Sequence, residues 1–400
     1  MTIPFSPPDI GEDEIAEVAD TLRSGWITTG PKTKRFEREL SAYTGTNATV
    51  CLNSATAALE LTLRLLGVGP GDEVITSSYT YTASASVICH AGARPVLVDT
   101  APGSFEMDYE RLAAAVTPKT KAVIPVDIGG VICDYETIFA AVESKKPLFC
   151  PKGALQEKLG RVAVVADAAH AFGALRRGKR CGQIADFTAF SFHAVKNLTT
   201  GEGGAVTWNP SLGLDDEEIY KRFQLFSLHG QTKDALAKTQ AGAWEYDIAA
   251  PYYKCNMTDI AASLGLAQLR RYEQSLARRH EIAARYDALC DSLGFSYLRH
   301  LGEDFRSSGH LYLLRLPGFG EAERNALIVK MARRGVSCNV HYKPLPMLTA
   351  YKALGFDIKD FPNAYAQYQN EMTLPLYTRL SDAENEYICG LLSQIIKGGI

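Results

Sequence analysis

Apolar positions recur at helical spacing from Glu12 to Ser24, where Ile15, Val18 and Leu22 share one face, acids fill the first turn and Gly25 ends the run. Pro31 is placed to open a second helix through Phe36, Leu40 and Tyr43, closing near Gly45. The period then shortens. Thr49 to Leu52 predicts a short strand, and Asn53 to Ala58 enters a leucine-rich helix ended by Gly67. Val74 to Thr76, Ala93 to Asp99 and Ala122 to Asp127 predict further strands, with a helix over Tyr109 to Val116 between the last two. Arg161 to Asp167 is a near-continuous apolar run ending in an acid, as a strand buried on both faces would be. In the next strand Phe190 and Phe192 face one way, Ser191 and His193 the other. This alternation of strands and helices predicts an α/β fold on a mostly parallel sheet.

Farther on, a long amphipathic helix is expected from about Asp259 to Leu289, bridging a large lobe to a small one. From Gly294 the order becomes strand (HLYLLRL), helix (Ala322 to Arg334) and strand (VSCNVHYKPL), a smaller α/β lobe. Ser381 to Glu384 is a capping box opening a last helix with Ile388, Leu391, Leu392 and Ile395 on its apolar face. The charged, proline-bearing segment Val142 to Gly160 reads as a surface excursion, and residues 231–250 as a polar loop.

Bulk properties narrow the class. Four hundred residues at 46% hydrophobic content suffice for a large core. A net charge of −3 without a basic block points away from nucleic acid. The N-terminus lacks a basic region followed by an apolar run, and no stretch is long and apolar enough to span a bilayer. Nine scattered cysteines without a CxxC pair predict reduced thiols, no structural zinc and a cytoplasmic location.

Candidate chemistry centres on TAFSFHAVKNLTTGEGG, residues 188–204. A strand delivers Ser191, Lys196 follows five residues later, and a glycine-rich corner closes the segment. A strand end facing a cleft can desolvate an amine and lower its pKa, which a Schiff-base lysine needs. Taken alone, the segment reads more readily as a polar hairpin with a surface lysine. Asn53-Ser54-Ala55-Thr56 offers the free first amides of a helix to a phosphate, or else an ordinary serine cap. Asp167 would stand over the crevice at the carboxyl end of its strand, or cap the turn that follows. Tyr81 is either a stacking ring or a core aromatic.

These segments, in this order, resemble the DegT/DnrJ/EryC1/StrS family of pyridoxal-phosphate-dependent sugar aminotransferases. SFHAVKN with TTGEGG, the NSATAAL stretch, DAAH, GWITTGP and PYYKCNMTDI each resemble a family segment, and the likeness runs from about Phe5 to the last helix. It implies fold type I, with a mixed seven-stranded sheet between helices in a large cofactor domain (26–280) and a small domain formed by 1–25 and 281–400. By resemblance, pyridoxal phosphate would be held by Lys196, with Asp167 on its pyridinium nitrogen, Tyr81 stacked on the ring and His170 near its 3-hydroxyl side. Ser54, Ala55, Thr56 and Ser191 would hold the phosphate; Lys254 and Asn256 would reach the phosphate of a partner subunit in a homodimer with shared active sites. Thr28, Thr29, His193, His229, His341 and Tyr342 would meet the substrate.

The implied reaction moves an amino group from glutamate to a nucleotide-linked keto sugar, with a lean to a 4-keto sugar in polysaccharide biosynthesis. The chain departs from the family pattern at Ala55, where glycine is common, and at Asp127, where many members have histidine. Two other readings compete: a sugar dehydratase of the same fold, whose members replace the lysine by histidine, and a non-catalytic binding relative, in which the lysine, acid or cradle would have decayed. The nucleotide, the aminated carbon and the stereochemistry stay open.

Overall fold

A computed structural model describes residues 2–233 and 245–398; the middle of the expected 231–250 loop lies outside them. Helices α1 (Glu12–Ser24) and α2 (Pro31–Thr44) precede strand β1 (Thr49–Leu52) and helix α3 (Ala55–Leu65). There follow β2 (Glu73–Ser77), α4 (Ala83–His90), β3 (Arg94–Val98), α5 (Tyr109–Ala115) and β4 (Thr120–Ile124). Helices α6 (Tyr135–Ser144) and α7 (Ala154–Leu159) lead to β5 (Ala163–Asp167). A small ribbon, β6 (Leu175–Arg176) and β7 (Lys179–Arg180), separates β5 from β8 (Phe187–Ser191), β9 (Gly204–Trp208) and α8 (Asp216–Ser227).

The central sheet runs β1-β9-β8-β5-β4-β2-β3, and β9 alone opposes the other strands. Both faces are apolar, and alternate residues of each strand enter different cores. Cys51, Ile75, Val123, Val164 and Phe190 pack on one face with α2 residues Phe36 and Leu40. Val50, Val74, Ile124, Val165 and Phe187 pack on the other with Leu59 and Leu63 of α3. Burial on both faces explains why these strands read as continuous apolar runs.

Helices α9 (Asp259–Arg270) and α10 (Tyr272–Leu293) lead out of the large lobe, whose core still holds Ala262, Leu266, Tyr272 and Leu276. The small lobe opens with β10 (Ser296–Tyr297) and β12 (Tyr312–Arg315), while β11 (Phe305–Arg306) between them pairs with β6. The small lobe continues with α11 (Glu321–Arg333), α12 (Thr349–Ala353), α13 (Pro362–Asn370), β13 (Glu371–Leu374) and α14 (Asp382–Lys397). Tyr312 and Leu314 face the small-lobe core, whereas Leu311 and Leu313 join a second cluster with Tyr79, Leu97 and Phe105 of the large lobe. That cluster fastens the lobes together beside the carboxyl ends of the strands.

Three expectations are corrected. The predicted Asp259–Leu289 helix is two helices, broken at Arg271, whose guanidinium is drawn to Asp9 and to the buried Glu14. The α1 stripe faces outward: Ile15 and Leu22 are 54% and 55% exposed while Glu14 is buried. Polar partners decide that orientation, because Glu14 bonds Arg271 and Gln268 of the neighbouring helices and Glu17 bonds Lys32 and Arg270. The predicted strand VSCNVHYKPL makes only isolated bridges, Val336 to Ile3 and Asn339 to Thr373. The amide of His341 donates to the Glu371 carboxylate instead of to a neighbouring strand.

Candidate active site

The carboxyl ends of β5 and β8, the start of α3 and the stretch around His341 enclose a cleft of about 380 Å³. Phe192 is fully buried, and its amide and carbonyl bond Gly203 and Thr200, pinning both sides of the loop that carries Lys196. Within it, a tight turn joins the Lys196 amide to His193 O at 2.9 Å. Ser54 caps α3 by accepting from the Ala57 amide at 3.1 Å. The first amides of the helix, at Ala55 and Thr56, are left free by helix geometry and border the cleft. A Cβ on Gly204 would come within 2.3 Å of the Ser54 carbonyl carbon and 2.4 Å of the Ala55 amide, so glycine there lets β9 support this corner.

Asp167 is buried, and its Oδ2 accepts from Ser84 Oγ at 2.6 Å and its Oδ1 from the Ala169 amide at 3.2 Å. No ion-pair partner lies within salt-bridge distance of it among the described residues. Burial raises its pKa, opposed by those two donors and by the charge of Lys196. Burial also lowers the Lys196 amine to about 8, against the pull of Asp167. An amine so placed exchanges its proton near neutrality.

His170 accepts from the Gly129 amide on Nδ1 at 3.2 Å, so the neutral ring carries its proton on Nε2, 3.1 Å from the Tyr342 hydroxyl. Burial and the Lys196 charge hold it well below its usual pKa. His310 packs against it at 4.4 Å between centroids.

The cleft brings together Ser54, Ala55, Thr56, Tyr81, Asp167, His170, Ser191, His193, Lys196, His341 and Tyr342. Tyr81 is 61% exposed, open to the cleft and 6.0 Å from the Tyr342 ring. Outside it lie Lys254 and Asn256, hydrogen-bonded to each other, with Asn256 lining a neighbouring opening of about 350 Å³. Thr28 and His229 are exposed, and Thr29 is buried, donating to Met257 O at 2.5 Å. Sequence reasoning missed Ser84, Thr80 and His310. Ser84 meets Asp167 across 83 residues of chain, a separation no local pattern signals.

The geometry now has relatives to set beside it. Residues 8–393 match the DegT/DnrJ/EryC1/StrS aminotransferase family. The chain belongs to that family. It is 39% identical to the spore coat polysaccharide biosynthesis protein SpsC of Bacillus subtilis (strain 168), over 99% of this chain and 97% of SpsC. Among solved structures, the PMP-form of Spr1654 from Streptococcus pneumoniae, a protein assigned as a sugar aminotransferase, superposes with a TM-score of 0.97 at 58% identity, covering 99% of this chain and all of that one. PseC of Helicobacter pylori, an aminotransferase involved in pseudoaminic acid biosynthesis, gives 0.87 at 26% identity, each chain covered completely.

The family uses pyridoxal phosphate, and the cleft of this aminotransferase fits it: free helix amides for the phosphate, a buried carboxylate without a cation for the pyridinium, and an amine of lowered pKa for the aldehyde.

The acid at Asp127 has a physical consequence. The side chain is fully buried; Oδ1 accepts from the Cys133 amide and the Tyr135 hydroxyl at 2.9 and 3.1 Å, and Oδ2 from Cys181 Sγ at 3.7 Å. Burial pushes its pKa to about 7. The folded chain therefore holds a proton that the unfolded chain has released above about pH 4, so stability is lost as pH rises from there through about 7. Asp127→Asn keeps the acceptor and turns an amide toward Cys181. Thermal unfolding is expected to show a higher Tm for the variant at about pH 8, with the gain shrinking towards about pH 4.

Proposed function

We propose that this chain transfers the amino group of glutamate to a nucleotide-linked keto sugar, with a 4-keto sugar the favoured class. The observation that carries the reading is the meeting, in one cleft, of a near-neutral amine at 196, a buried carboxylate at 167 and the open start of α3. Bound pyridoxal phosphate would supply the electron sink and carry the amino group between the two substrates.

The residues divide the remaining work. Lys196 would hold the cofactor's aldehyde and, once released, its Nζ would serve as the acid and base that takes a proton from the donor's α-carbon and returns one in the amination of the sugar. Asp167 would keep a bound pyridine nitrogen protonated, and Ser84 orients that carboxylate. Ser54, Ala55, Thr56 and Ser191 would hold the phosphate, and Tyr81 and His170 would flank the ring. His193, His341 and Tyr342 form the wall the sugar meets. Lys254, Asn256, Thr28 and His229, placed outside this cleft, serve the cleft of a second copy in a homodimer. Exposed Ile15, Leu22 and Ile27, with Tyr252 and Tyr253, support such an interface.

A panel of UDP-, dTDP- and GDP-linked 4-keto and 3-keto sugars, each with glutamate, tests the reading. The expected result is an amino sugar and 2-oxoglutarate in equal amounts from a 4-keto member. Absence of amination across the panel would overturn the substrate class, and a deoxygenated product would overturn the reaction.

A further inference from the structure

On the small-lobe side of the cleft stands a carboxyl group that none of the steps above uses. Glu371, the first residue of β13, is fully buried. Its Oε2 accepts from the His341 amide at 2.9 Å, and its Oε1 meets Thr373 Oγ1 at 2.5 Å. Thr373 Oγ1 in turn lies 2.9 Å from His341 Nδ1. Glu371 and Thr373 are two residues apart on one strand and so point to the same face. The His341 ring lines the cleft, and its Nε2 has no hydrogen-bond partner among the described residues.

We propose that Glu371 and Thr373 form a proton relay that sets which tautomer of His341 faces the cleft, and so whether that ring offers a substrate oxygen a donor or an acceptor. This deepens the amination reading and rests on it for the identity of the substrate, but the tautomer exists without substrate.

The proton count allows two arrangements. With Glu371 ionised, the Thr373 hydroxyl donates to the carboxylate, His341 Nδ1–H donates to Thr373, and Nε2 presents a bare lone pair. With Glu371 protonated, its O–H donates to Thr373, Thr373 donates to Nδ1, and Nε2 carries the hydrogen. Passage from the first to the second takes one proton from the cleft at Nε2 and delivers one to Glu371. The imidazole is neutral in both.

The surroundings support a titration in reach of ordinary buffers. Arg324 of α11 is buried, donates to the Glu371 carbonyl at 2.9 Å and lies over the Tyr368 ring. Arg315 of β12 pairs in register with Glu371 but turns its guanidinium to Gly103 O and Gln367. Cys338 and Tyr342 approach from the segment that carries His341, and the Tyr79 hydroxyl donates to His341 O at 2.9 Å. Burial dominates this set and raises Glu371 to about 8, while burial and the Lys196 charge lower His341 to about 3. The ring thus stays uncharged while the carboxyl titrates, and only the position of its proton changes.

The test reads the tautomer directly, by NMR of the cofactor-loaded protein with 13C,15N-labelled histidine, the His341 signal being assigned by its loss in His341→Gln. Wild type is expected to hold Nε2–H below and Nδ1–H above a midpoint near 8. In Glu371→Gln the His341 amide claims the carbonyl oxygen, which turns the NH2 to donate to Thr373, so the variant is expected to stay Nε2–H throughout. Thr373→Val should abolish the pH response and Thr373→Ser restore it. In kinetics, KM for the keto sugar should rise roughly three- to ten-fold through the same midpoint in wild type and stay flat in Glu371→Gln. A wild-type tautomer unchanged with pH, or one that titrates equally in Glu371→Gln, overturns the relay. Failure of the sugar panel would leave the NMR result standing.

Discussion

Replacing Lys196 by alanine is expected to lower the transamination rate by about four orders of magnitude or more, because on the proposed reading one side chain would provide both the covalent attachment and the proton transfer. Lys196 is the one amine among the residues lining the cleft. Its pKa near 8 means that a useful fraction is free base at neutral pH. Arginine at this position keeps the charge but holds its proton at all accessible pH values, so Lys196→Arg should be as inactive as alanine. Single-turnover measurement with glutamate checks both variants, alongside the visible absorbance of the bound cofactor. An alanine variant that aminated a keto sugar at the wild-type rate would remove the basis of the functional reading.

The second large effect is expected at Asp167. Asparagine preserves the shape and can still accept from Ser84 or the Ala169 amide, but it has no charge to keep a pyridine nitrogen protonated. Breaking a buried charge pair costs about 3–5 kcal/mol. At a factor of ten per 1.36 kcal/mol, Asp167→Asn should therefore slow both half-reactions by roughly a hundred- to a few thousand-fold. Folding should survive, since burial already works against the charged carboxylate in the empty cleft. Rates from single-turnover absorbance, with circular dichroism as the control on folding, decide the matter. A loss confined to one half-reaction would show that the carboxylate acts on the substrate and not on the ring.

Much of the large lobe was legible along the chain. The strand runs at 49–52, 74–76 and 161–167 declared themselves because β1, β2 and β5 are covered on both faces, so nearly every residue had to be apolar, whereas the strand through Phe190 showed as alternation. Capping signals fixed helix ends with little ambiguity: Pro31 and Gly45 bound α2, and Ser381 with Glu384 opens α14. The segments around Ser54, Asp167 and Lys196 drew notice through their strand-to-helix turns and glycine corner, but their local patterns alone left ordinary caps and a hairpin open. The resemblance of all of them in order was what singled them out.

Where reading failed, the deciding contact was distant in sequence. Arg271 breaks a helix because Asp9 and Glu14 hold its guanidinium, more than 250 residues away. Those same contacts turn α1 so that Ile15 and Leu22 face outward. The 336–345 stretch has the composition of a strand, yet the Glu371 carboxylate takes the His341 amide that a strand would have paired.

By itself, then, the order of residues determined most of the large lobe's strands and helices and the set of groups able to do the chemistry, since these follow from local periodicity and turn geometry. Tertiary structure alone decided the protonation landscape: Ser84 on Asp167, Gly129 on His170, and Glu371 with Thr373 behind His341. The physical reason is that a side chain's pKa and tautomer depend on desolvation and on partners within about 3 Å, and folding brings those partners in from anywhere in the chain.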